Sequence, residues 1–210
     1  SIAGSDPSGG AGIQADIKAI SANGAYAMAA ITALTAQNTQ SVSGVHFIPA
    51  SFVTDQIAAI FADIRVDAIK VGMIANADIA SAVADILRHH IDVPVVLDPV
   101  MISKSGAPLL SQDAIATVRN ALLPLATVLT PNLPEAAFFL GVLPATTRDE
   151  MVMQGNALCA LGPRAVLMKG GHLDALDSPD VLVTESGEYW FNAPRTLTQN
   201  THGTGCTLSA

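Results

Sequence analysis

Aromatic residues are scarce in this 210-residue chain: one Trp, two Tyr and six Phe, 4% in all. Charge is scarce too, at 13%, and the basic share is the smaller, with 10 Lys and Arg against 18 Asp and Glu for a net charge of −8. A general nucleic-acid binder presents a basic face, so no nucleic-acid partner is expected. Cysteine is limited to Cys159 and Cys206, too few for a disulfide framework, which makes a reducing cytoplasm the expected location. No His, Cys, Asp and Glu set has zinc spacing, so no structural zinc is expected. Long apolar runs are missing as well. The stretch 19–54 carries no Lys, Arg, Asp or Glu, but its apolar run Ala25 to Leu34 is broken by Thr32 and followed by Thr35, Gln37, Asn38, Thr39 and Gln40. That is short of the roughly 20 apolar residues of a spanning helix, so no membrane partner is expected, and no signal peptide is visible. Half of the chain is nevertheless hydrophobic, mostly small and aliphatic, which excludes disorder.

What is present is an alternation of short apolar runs with helical patterns. Ala68 to Ile74, Val93 to Asp98, Thr127 to Thr130 and Ala165 to Lys169 read as strands buried on both faces. Helical spacing recurs over 51–64, 76–89, 111–123 and 148–161, with Asn76 or Asp78 as the second helix's N-cap and Leu161-Gly162-Pro163 as a stop. This order predicts an α/β protein with a mostly parallel sheet covered by helices on both faces. Val181 to Val183 and Tyr189 to Phe191 predict an antiparallel hairpin at one edge. The length suits a single domain. The chain opens as if partway into a strand and closes just after a glycine motif that should start a helix, so both ends read as cut and the C-terminal portion as absent.

Ligands of such sheets sit beyond the carboxyl ends of the strands, so the polar residues there are the chemical candidates. Gly4 to Gly12, followed by an amphipathic helix, forms either a ligand cradle at a helix N-terminus or simply a tight turn. Asn132 and Glu135, three apart in Thr130-Pro-Asn-Leu-Pro-Glu135, either hold a hydrated Mg²⁺ or make a capping arrangement. Asp98 closes a buried strand as a cap or a metal ligand, and Lys169 ends another as a phosphate-facing or a snorkelling cation. The most specific motif is Gly203-Thr-Gly-Cys206, whose N–H groups would form an anion hole at a helix start. Cys206 is expected there with a lowered pKa, whereas Cys159, inside a helix, is expected to be inert.

Taken in order, the motifs Ile2 to Asp16, Thr32 to Thr39, Lys70 to Met73, Leu97 to Met101, Thr130 to Ala136, Leu167 to His172 and Asn200 to Thr207 resemble the ribokinase-like superfamily. Within it they resemble the hydroxymethylpyrimidine/phosphomethylpyrimidine kinases of thiamine biosynthesis. The resemblance implies ATP-dependent phosphorylation of 4-amino-5-hydroxymethyl-2-methylpyrimidine and of its monophosphate, with Mg²⁺, by a cytoplasmic homodimer. It implies that Asp16 and Gln37 hydrogen-bond the aminopyrimidine and that Gly4, Met73 and Val100 pack around it. Asp98, Asn132 and Glu135 would organise Mg²⁺ and phosphates, Lys169 would neutralise the β- and γ-phosphates, and Thr204 would contact the nucleotide. Gly203, Gly205 and Cys206 would supply the anion hole, with Cys206 as general base. The alternatives are a pyridoxal or pyridoxine kinase, which also takes a flat nitrogen heterocycle with a hydroxymethyl arm, and a non-catalytic nucleotide- or pyrimidine-binding protein.

Overall fold

The computed structural model describes residues 1–101, 111–173, 176–198 and 200–210. The chain starts with β1 (Ile2–Ala3), α1 (Gly12–Ala22) and β2 (Ala30–Ile31). An antiparallel pair, β3 (Ala33–Gln37) and β4 (Val42–Phe47), stands apart as its own small sheet, with an irregularity at Ala36/Gln37. Then follow α2 (Ala50–Asp63), β5 (Ile69–Val71), α3 (Ala77–Arg88), β6 (Val95–Leu97), α4 (Gln112–Thr117) and β7 (Val128–Leu129). The chain continues through α5 (Leu133–Leu140), α6 (Arg148–Cys159), β8 (Ala165–Lys169), β9 (Asp180–Thr184), β10 (Gly187–Phe191) and α7 (Thr204–Ser209).

The main sheet has the order β10-β9-β8-β7-β6-β5-β1-β2. Strands β2 to β8 within it run parallel, and β9 and β10 add antiparallel pairs at the far edge, as the sequence predicts. The steps β5→β6→β7→β8 all move one way across the sheet. Right-handed crossovers therefore place α3 to α6 on one face. The step β1→β2 moves the other way, which places α1 on the opposite face, where α7 packs against it. The reversal lies between β1 and β5, and a switch of this kind opens a crevice beyond the strand ends.

Small aliphatic side chains build this arrangement. α3 buries Ile79, Ala80, Val83, Ala84 and Leu87 on one stripe, and Asn76 caps it by accepting a hydrogen bond from the Ile79 N–H at 2.9 Å. The helix expected over 111–123 is α4 followed by a wider turn over Val118–Leu122 and a tight one over Leu123–Leu125, where Pro124 cannot continue the ladder. The core runs continuously from α2 to α6, through Val53, Ile79, Leu122, Leu133 and Met151. Among the described residues no helix is long and apolar enough to cross a membrane.

Candidate active site

The parallel strands deliver their polar residues to one rim. Asp98 follows the end of β6, β7 leads to Thr130 and Asn132, and β8 ends at Lys169. Lys169 Nζ donates to Asp98 Oδ1 at 3.0 Å, and Thr130 Oγ1 donates to the same oxygen at 3.3 Å. Ser209, in α7, donates to Asp98 Oδ2 at 3.2 Å. Among the described residues Asp98 is thus a buried carboxylate with three side-chain partners, Lys169, Thr130 and Ser209.

Asn132 and Glu135 form a reciprocal cap at the start of α5: the Glu135 N–H donates to Asn132 Oδ1 at 2.9 Å, and the Asn132 N–H to Glu135 Oε2 at 2.8 Å. Among the described residues Glu135 Oε1 accepts no hydrogen bond. Burial pushes the Glu135 carboxyl up from 4.5 to about 7; Lys169 opposes this and the Asp98 charge adds to it. Lys169 is also buried, which works against its charge, but Asp98 and Glu135 prevail and hold its pKa above the ordinary lysine value. With all three groups ionised the rim carries one surplus negative charge, and it is burial above all that makes Glu135 resist ionising. Two carboxylates with a free oxygen and a charge deficit fit Mg²⁺, which takes one or two protein carboxylates and keeps water and phosphate as its other ligands. Among the described residues no group of three or more His, Cys, Asp and Glu side chains is placed to hold a metal ion.

The Glu135 shift has a consequence for stability. Below pH 4.5 the carboxyl is protonated in the folded and unfolded chains alike. Between pH 4.5 and 7 the unfolded chain gives up the proton and the folded chain keeps it, so stability falls as pH rises. The loss reaches about 3 kcal/mol and levels off above pH 7. Glu135→Gln is expected to abolish that slope, as read from urea midpoints at pH 5 and pH 8 in EDTA. An unchanged slope would place the titration elsewhere.

The second half of the rim is made by two glycine loops. Gly203 has φ +76°, and a Cβ there would lie 1.6 Å from the Gly10 carbonyl oxygen, so only glycine fits. A Cβ on Gly205 would lie 3.4 Å from Lys169 Nζ, which puts the first turn of α7 beside that ammonium. The Thr204 hydroxyl is exposed and donates back to the Thr201 carbonyl at 3.1 Å. Cys206 sits in that first turn, and α7 packs against α1.

The expected lowering of the Cys206 pKa is corrected by this environment. Burial pushes the thiol up; the Lys70 ammonium and the Gly12 N–H oppose this, while Asp98 and Asp16 add to it. Cys206 therefore rests as a thiol. Cys159 is half-buried in α6, with burial raising its pKa as well, in keeping with an inert role.

On the substrate side Gly4 and Met73 meet closely, since a Cβ on Gly4 would lie 2.2 Å from the Met73 methyl carbon. Gln37 ends β3 and joins the first loop through Thr35, whose hydroxyl donates to the Ser5 carbonyl at 2.8 Å and to Gln37 Oε1 at 3.3 Å. Val100 follows Asp98, its N–H turned back to the Asp98 carbonyl at 2.8 Å. Asp16 departs from its expected role. Its carboxylate is fully buried, ion-paired with Lys70 at 2.7 Å and bonded by the Ser1 hydroxyl. With both oxygens engaged it holds Lys70 in place rather than facing a ligand.

An apolar cavity of about 530 Å³ lies elsewhere, by the amino ends of β1, β2 and β5, and is lined by Ile20, Tyr26, Ile57, Phe61 and Ile64. It contains none of the rim's phosphate-facing groups.

The phosphomethylpyrimidine kinase family model matches residues 6–210. The chain belongs to this family. The hydroxymethylpyrimidine/phosphomethylpyrimidine kinase of Escherichia coli K12 is 57% identical over 209 residues, covering 100% of this chain and 79% of that protein. The crystal structure of phosphomethylpyrimidine kinase from Clostridium difficile 630 is similar at a TM-score of 0.84 and 44% identity, over 90% of this chain and 81% of the other. An ADP complex of Bacillus subtilis pyridoxal kinase reaches a TM-score of 0.89 at 36% identity, over 99% and 78%. The fold of this kinase family is thus the ribokinase-like one that the motifs implied.

Thr130 and Ser209, which bond Asp98, and Asp6 and His202, which bond each other between the two glycine loops, have no role in the sequence reading. Asp6 had a local signal, since Ser-Asp-Pro-Ser is a turn in which the Asp side chain accepts from the backbone two residues on. Thr130, Ser209 and His202 had none, because their partners lie far away in the chain. Lys70, inside an apolar strand, signals a buried counter-charge, which Asp16 supplies.

Proposed function

We propose that this kinase transfers the γ-phosphoryl group of ATP to the hydroxymethyl oxygen of 4-amino-5-hydroxymethyl-2-methylpyrimidine, and then phosphorylates the monophosphate, in thiamine biosynthesis. The observation that carries the reading is the juxtaposition of Lys169, Asp98 and Glu135 with the first turn of α7, in a chain of this family. Phosphoryl transfer consists largely of positioning and charge stabilisation around a loose transition state. Lys169, kept charged by its carboxylate neighbours, neutralises the β- and γ-phosphates. The N–H groups of Gly205 and Cys206, which a first helical turn leaves unpaired, receive the transferring group next to Gly203. Thr204 and Asn132 border the nucleotide. Asp98 and Glu135 would hold Mg²⁺, directly or through water, and the ion would offset phosphate charge.

Gly4, Met73 and Val100 form the walls for the flat ring, and Gln37 supplies an amide that can donate to and accept from the aminopyrimidine edge. In the reaction the substrate oxygen bonds to the γ-phosphorus as the bond to the ADP oxygen breaks. The hydroxyl proton passes to Cys206 in its thiolate form, the minor one at neutral pH, which becomes the neutral thiol. The reading extends to a cytoplasmic homodimer; Val45 and Phe47, exposed on one face of β4, are an apolar surface suited to a second copy.

Parallel ADP-release assays with the hydroxymethylpyrimidine and with pyridoxal test the substrate. The pyrimidine is expected to give a kcat/KM at least about 100-fold higher, because a site built to hydrogen-bond an amine strongly rejects an analogue lacking it. Equal turnover of pyridoxal would overturn the pyrimidine assignment. ADP release that neither heterocycle stimulates would overturn the kinase reading.

A further inference from the structure

Asp6 and His202 are 196 positions apart, and His202 Nε2 lies 2.7 Å from Asp6 Oδ2. Both are buried, their side chains 1% and 12% exposed. Asp6 accepts four hydrogen bonds. The Ser8 N–H and hydroxyl donate to Oδ1 at 2.9 and 2.7 Å, while the Ala11 N–H at 2.8 Å and His202 converge on Oδ2. Burial works against the Asp6 charge, but the bonds from His202, Ser8 and Ala11 prevail and hold its carboxyl below the ordinary range. An ionised carboxylate only accepts, so Nε2 carries the proton whether the ring is neutral or charged.

One oxygen atom is therefore the fixed point of both glycine loops. Ala11 precedes Gly12, which opens α1, and α1 packs against α7, the helix that carries Cys206. His202 precedes Gly203, which opens the turn carrying Cys206. The loops leave no slack around the bond. A Cβ on Gly10 would lie 2.5 Å from His202 Cδ2, and Gly203 packs on the Gly10 carbonyl.

We infer that His202 and Asp6 form a clamp that sets Cys206 and the turn Gly203–Cys206 against the start of α1. His202 is thus a positioning residue for phosphoryl transfer, acting through the loops and not on the substrate. Its catalytic consequence rests on the kinase reading above; its effect on Cys206 does not.

The test uses a Cys159→Ser background, in which Cys206 is the remaining thiol of residues 1–210, and measures turnover together with the rate of iodoacetamide alkylation of the Cys206 peptide, followed by mass spectrometry. His202→Ala is expected to raise the alkylation rate about tenfold and to lower kcat about 10- to 100-fold, as a displacement near 1 Å does. His202→Gln places an amide N–H where Nε2 lies and is expected to restore both to within about threefold of the parent. Should the alanine variant fail to fold, His202→Asn, one atom too short to reach Asp6, takes its place. Parent-like alkylation and turnover in His202→Ala or His202→Asn would overturn the clamp, as would a glutamine variant no better than alanine. Faster alkylation in a protein without kinase activity would support the clamp and refute the kinase reading alone.

Discussion

Lys169→Met is expected to lower kcat by about 10²- to 10³-fold while leaving the KM for the pyrimidine nearly unchanged. Losing one preorganised charge at the transferring group costs that much. The pyrimidine walls, Gly4, Met73 and Val100, belong to the β1, β5 and β6 ends, whereas Lys169 ends β8. Among the described residues the variant also leaves the buried Asp98 carboxylate with only Thr130 and Ser209 as side-chain partners. Breaking a buried ion pair in this way costs about 3 kcal/mol of stability, which urea unfolding would read. Lys169→Arg should recover part of the rate only, because a planar fork does not fill the place of a compact ammonium beside Gly205. A Lys169→Met enzyme within threefold of the parent kcat would remove the phosphate-facing role.

Cys206→Ala is expected to slow the chemical step by about 100-fold in single-turnover assays, the lower end of what a positioned base contributes. The modest size follows from the environment. The resting thiol is pushed up by burial, so little thiolate exists at neutral pH. A loose transition state asks little of the base, since the proton leaves late. The parent rate should climb with pH well above neutrality, and the Ala variant should lose that climb. Cys206→Ser separates proton acceptance from packing: it should match Ala if the sulfur takes the proton. An unchanged single-turnover rate in Cys206→Ala would assign the proton to another acceptor.

Much of this fold is legible in the sequence because its signals are local. Ile79, Val83 and Leu87 mark one stripe of α3, Asn76 its start, and the buried runs ending in Asp98 and Lys169 mark strands bounded by polar residues. The short strands β2 and β3 carry no such mark, since 25–37 mixes small apolar residues with Thr and has neither helical nor alternating period. The capping box of Asn132 and Glu135 shows how a local reading can be right without being complete. The cap is there, and it also aims a buried carboxylate at Lys169 and Asp98.

Chemical type and order along the chain are properties of the sequence. Which residues end strands, which loops need glycine and which family the ordered motifs resemble all follow from side-chain chemistry within a few positions. Protonation and partnership belong to the tertiary structure alone. Cys206 rests as a thiol because burial outweighs the opposing Lys70 charge. Asp16 is taken by Lys70, 54 positions away, and Asp6 by His202 across nearly the whole chain. Charges respond to every group within a few ångströms, and only the folded chain brings those groups together.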